Sequence, residues 1–159
     1  MDIKDKGVFS VHFESLEELK NNLDDDVTDP YQIAKDFNLK IIEVELPPTI
    51  NGFCEPISQY LLINNRITDQ RFKLFVVAHE IVHALIDEHP AALENNTVNT
   101  LKTEARANQG AFYLLARQYK AITGLEDDEI NIQDFMNTYH LPMYFYYFVE
   151  HYLNCENKQ

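Results

Sequence analysis

Apolar and polar positions alternate with period two over residues 8–13, which predicts a short strand. Ser15-Leu16-Glu17-Glu18 then matches a capping box, so a helix is expected into the low twenties. Asp24-Asp25-Asp26 reads as a solvated turn. Asp29-Pro30 starts the next helix, with Asp29 or Thr28 as N-cap, Pro30 in the first helical position and an end near Phe37. The β-branched run over 40–46 is a strand, stopped by Pro47-Pro48. Asn51-Gly52 marks a turn and 59–63 another apolar strand, so a hairpin or short meander is expected.

Thr68-Asp69 caps a helix carrying Phe72, Phe75, Val76, Ala78, Val82, Leu85 and Ile86, which ends before Pro90. With so few polar positions, this helix must lie largely buried. A polar loop over 89–99 leads to a second long helix, from Asn99 or Thr100 to about Ala121. Gly124 and the acidic run over 126–129 stop it. From Ile130 the chain is helical and aromatic-rich. Pro142 opens a final helix bearing Tyr144, Phe145, Tyr147, Phe148 and Tyr152.

The chain of 159 residues suits one domain, and 45% hydrophobic with 12% aromatic residues is enough for a core. A net charge of −13, from 26 acidic and 13 basic residues, repels phosphate backbones and argues against direct nucleic-acid binding. It suits a soluble protein or one that meets a basic partner. Cys54 and Cys155 form neither a disulfide framework nor a Cys-rich metal site. Residues 1–6 are charged, and no run reaches the roughly 18 apolar residues of a membrane span. The expected setting is a reducing cytoplasm, with no membrane contact.

His79-Glu80-Ile81-Val82-His83 is an H-E-x-x-H motif inside the buried helix. Residues i and i+4 lie one above the other on a helix, so both imidazoles can reach one ion. Glu80 projects from an adjacent direction, suited to polarising a metal-bound water rather than to ligation. Three polar groups on an otherwise apolar helix are costly to bury without a partner, which a metal supplies. The bland alternative is a pair of core histidines hydrogen-bonded to backbone or carboxylates.

A catalytic zinc site needs a third protein ligand and an open position. On the following helix Glu104, Ala107, Asn108, Ala111 and Leu115 share one face. That stripe would pack on the first helix and aim Glu104 at the metal, with Asn108 one turn on placed to orient a histidine. Asp87, Glu88 and His89 compete for the third position, with poorer reach. A group for the oxyanion is also needed, and Tyr60, His89, Tyr139, His140 and His151 all remain open. The aromatic stripe 144–152 reads most simply as core, with a partner-binding face as the sharper alternative. Residues 130–153 have the lengths of a two-helix DNA-binding unit but lack Lys and Arg. Cys54 has no sequence-adjacent base for thiol chemistry.

The stretch LLINNRITDQRFKLFVVAHEIVHALI over 61–86, with Asn51-Gly52-Phe53 upstream and Glu104-x-x-Ala107-Asn108, Ala111 and Leu114-Leu115 downstream, resembles the ImmA/IrrE metallopeptidase family. The likeness covers roughly residues 31–116. It departs from the family pattern at Val82, where a glycine is usual, at Gly110, where an aromatic is usual, and at Ala116-Arg117, in place of Met-Pro. It implies that His79, His83 and Glu104 bind Zn²⁺ and that Glu80 is the general base, a gluzincin-like arrangement. It also implies an origin in bacteria, phages or mobile elements, and cleavage of a helix-turn-helix transcriptional repressor. A metal-stabilised binding module that sequesters a regulatory protein without cutting it is the alternative.

The expected fold is α+β. A small, mostly antiparallel sheet packs on two long helices with zinc between them, followed by a helical C-terminal region. One metallopeptidase-like domain would span 1–159, with an N-terminal strand and helix (1–28), a zinc-peptidase core (29–123) and the C-terminal helices (124–159).

Overall fold

The computed structural model describes residues 11–55, 58–86, 97–156 and 158. Among them the chain is α+β. The order is α1 (Leu16–Asn21), α2 (Pro30–Asp36), β1 (Lys40–Val44), β2 (Gly52–Glu55), β3 (Tyr60–Asn64), α3 (Gln70–Ile86), α4 (Thr97–Thr123), α5 (Ile132–Thr138) and α6 (Tyr146–Glu156). No helix of the described residues is long and apolar enough to cross a membrane.

Local chemistry accounts for the helix ends. Ser15 Oγ accepts from Glu18 N at 3.1 Å, while the Glu18 carboxylate accepts from Glu14 N, one residue earlier than a capping box requires. Asp29 caps α2, with Pro30 in its first position. Asp69 caps α3 by accepting from Arg71 N and Phe72 N at 3.0 and 3.3 Å. Gly124, at φ +74°, closes α4 with its N–H donating to Lys120 O.

Two expectations need correction. Residues 11–13 form no strand, and residues 8–10 lie outside the described residues. Phe13 is buried instead, edge-on to Phe37 at 5.7 Å, and its N–H donates to Leu85 O. The tertiary contact of one aromatic ring overrides a weak alternation. The sheet is also mixed rather than mostly antiparallel. Its order is β1-β3-β2, with β1 parallel and β2 antiparallel to β3. The central place goes to the strand whose Leu61 and Ile63 are fully buried. The chain from β1 makes its crossover through β2, which gives β1 and β3 the same direction.

Helix α3 lies over the sheet, and α4 packs along α3. Val77, Ala78, Ile81 and Val82 of α3 are fully buried, as the apolar pattern requires. Lys73, a charged residue 5% exposed, donates from its Nζ to Glu43 of β1 at 2.7 Å. Ala107 and Ala111, both 0% exposed, let α4 approach closely.

At Gly110 there is no room for a side chain. A Cβ there would lie 2.6 and 2.9 Å from the two Val82 methyls. Val82 and Gly110 are therefore one feature: bulk on α3 faces its absence on α4. Gly110→Ala is expected to lower stability by about 1–3 kcal/mol, because β-branched Val82 has one helical rotamer and cannot swing aside. The melting temperature should fall by roughly 3–10 °C. Thermal melts of Gly110→Ala with and without Val82→Ala check this, and the second change should restore most of the loss.

The C-terminal region closes one end of the α3–α4 pair. Phe75, Phe112 and Phe145 form a ring cluster with centroids 5.1–5.7 Å apart. The aromatic stripe divides. Phe145, Val149, Tyr152 and Leu153 are buried, whereas Met143, Tyr144, Tyr147 and Phe148 are 62–77% exposed. The core reading therefore holds for part of the stripe, and the rest of it is exposed.

Candidate metal centre

His79 and His83 follow each other by one helical turn on α3, and their Nε2 atoms stand 3.0 Å apart. Glu104 comes from the facing side of α4. Its Oε2 lies 3.1 Å from His79 Nε2, and its Oε1 lies 3.0 Å from His83 Nε2. The donor atoms of this trio all lie within 4.8 Å of one another, and the set can hold a metal ion. An ion with bonds of about 2.0–2.1 Å spreads tetrahedral donors about 3.3 Å apart, close to the spacing here. Two imidazoles and a carboxylate are suitable donors for a divalent metal of borderline softness.

Burial grades across the trio. The histidine side chains are 13% and 10% exposed, while Glu104 is 43% exposed. Burial pushes the Glu104 carboxyl upward, but hydrogen bonds to His79 and His83, with their charge, outweigh it. The net effect holds Glu104 well below the usual carboxylate range, so it is ionised at neutral pH, the state a metal ligand needs.

Glu80 is 5% exposed and lies against Gly52 at the start of β2. It faces a cavity of about 410 Å³ that it shares with His79, Glu104 and Asn108. Thr49, Ile50, Asn51 and Gly52 form one wall, and Phe75, Val76, Tyr144 and Phe145 another. The first wall is held by Asn64, whose side-chain amide donates to Leu46, Pro47 and Ile50 carbonyls at 2.8–3.2 Å. Asn64 is 3% exposed, a polar residue at the end of an apolar strand.

The structure sorts the other candidates. Asn108 lines the cavity, but His79 Nδ1 is buried without a hydrogen-bond partner among the described residues. Asn108 therefore does not orient His79 through Nδ1, because α4 meets the Nε2 side of that ring. Asp87, Glu88 and His89 lie outside the described residues. Tyr139 is buried, and its hydroxyl donates to α4 at Leu115 O, far from the reacting groups. Burial raises its pKa. His140 pairs with Asp69 at 2.7 Å, and His151 approaches Cys155 at 3.6 Å. Neither these nor Tyr60 lines the cavity. Tyr144, read from sequence as part of the stripe, does line it. No signal in the sequence distinguishes Tyr144 from its aromatic neighbours.

Comparison with family models, with curated proteins and with solved structures finds no match for this chain.

Proposed function

We propose that this chain is a zinc-dependent peptidase that cleaves a helix-turn-helix transcriptional repressor and so relieves repression. The observation that carries the peptidase reading is the convergence of His79, His83 and Glu104 at one point, with His79, Glu104 and buried Glu80 lining one open cavity. Two neutral histidines and one carboxylate favour Zn²⁺ with a position left for substrate. Zinc held there supplies Lewis acidity toward a water and a peptide carbonyl. Glu80, adjacent to the trio but not part of it, would take a proton from the attacking water and pass it to the leaving amine. Tyr144 offers a phenol on the cavity wall to the oxyanion.

A polypeptide substrate fits the surroundings. Ile50 and Tyr144, 40% and 66% exposed, line the cavity as an apolar ledge. Such a ledge suits a chain lying across the site better than a small solute within it. The repressor rests on the resemblance to the ImmA/IrrE family and on the charge of −13, which complements a basic DNA-binding protein.

The test is a search for new protein N-termini in a cell lysate treated with the zinc-loaded or the chelator-stripped protein. New termini in a transcriptional repressor, present only with zinc, are expected. No new termini, with a regulatory protein retained uncut by the zinc-loaded form, would replace the peptidase by a non-cleaving binding module.

A further inference from the structure

Gly52 opens β2 and pairs with Ile63 of the central strand. Its backbone is not the reason for a glycine, since Gly124 is the positive-φ glycine among the described residues. The reason is space. A Cβ at residue 52 would stand 2.8 Å from Glu80 Cγ, 2.9 Å from Oε1 and 3.1 Å from Cδ. Carbon atoms in good contact are about 3.5–4.0 Å apart. The missing methyl therefore leaves a slot, and the Glu80 side chain fills it.

We infer that Gly52 is a positioning residue, whose bare Cα holds the Glu80 carboxylate beside the His79–His83–Glu104 trio. The inference rests on the peptidase reading, in which Glu80 moves the proton. Three features set what a side chain at 52 does. Glu80 sits on α3, whose neighbouring Ile81 and Val82 are fully buried, so the helix does not retreat. Gly52 is tied by the ladder to β3, and the preceding Asn51 accepts Asn64 N at 2.8 Å, so β2 does not retreat either. The blocked atoms, Cγ, Cδ and Oε1, all lie beyond the Glu80 Cβ on a flexible side chain, so the Glu80 carboxylate moves instead. Gly52→Ala should thus leave fold and metal site in place and misplace the base.

The test uses the full chain loaded with Co²⁺, a paramagnetic stand-in for zinc, and carbon-13 NMR of the Glu80 carboxyl, assigned through Glu80→Gln. That resonance reports the distance of the carboxylate from the ion. In Gly52→Ala it should shift, with cobalt still bound at one per chain. Melting temperatures form a second readout. Gly52→Ala should cost roughly 2–4 °C more in the wild-type background than in Glu80→Ala, where the slot is empty. The backbone effect of losing a glycine is common to both backgrounds and cancels. An unmoved resonance with additive melting shifts overturns the inference and leaves the peptidase reading standing. A wild type that binds no cobalt removes both together.

Discussion

Glu80→Gln is expected to lower the rate of peptide cleavage by about 10²–10⁴-fold, the usual contribution of a positioned general base. That corresponds to about 3–5 kcal/mol of lost transition-state stabilisation. Glutamine has the same shape, so it fills the slot over Gly52 and keeps the packing that leaves residue 80 only 5% exposed. It retains an acceptor oxygen but does not take up a proton at neutral pH. The loss should therefore fall on kcat, with KM, zinc content and melting temperature nearly unchanged. Steady-state kinetics on a cleaved protein or a peptide spanning its scissile bond reads this directly. A variant that cleaves within a few-fold of wild type would show that the proton goes elsewhere and that Glu80 is structural.

The second large effect belongs to Glu104. Even residues that only orient a metal ligand change affinity by about 10–100-fold when replaced. Glu104→Ala removes a direct donor and the anionic member of the trio, so zinc affinity should fall by more than about 100-fold. Glu104 also accepts from or bridges both histidines at 3.0–3.1 Å, so its loss leaves two Nε2 atoms 3.0 Å apart with no carboxylate between them. Zinc should accordingly stop raising the melting temperature, since an ion that no longer binds the native state gives it no stabilisation. Competition against a zinc-sensitive dye and a melting series with added zinc check the two halves. Retained affinity would assign the third donor elsewhere, to a residue such as Asp87, Glu88 or His89.

Local geometry made the trio legible in the sequence. Residues four apart must share a helix face, so His79 and His83 could be paired without knowing the fold. Glu104 followed from the small-residue stripe of Ala107 and Ala111, because small residues mark where helices approach. The burial of α3 followed from its lack of polar positions. Other features depend on partners distant in sequence. The parallel pairing of β1 with β3 comes from competition for the central place, which no single strand reveals. The Val82–Gly110 contact joins two residues that look unrelated in one dimension and fit as one volume across an interface. Gly52 read as a turn residue, whereas its role lies in the space it leaves for Glu80. Tyr144 reaches the cavity because the aromatic face divides between core and surface, and the sequence pattern treats both faces alike.

The most direct test of the central claim is the zinc content of the purified chain by elemental analysis, before and after dialysis against zinc. The account predicts about one zinc per chain, lost when His79 and His83 are both replaced by alanine. No zinc after dialysis, or zinc retained without the two histidines, would contradict it.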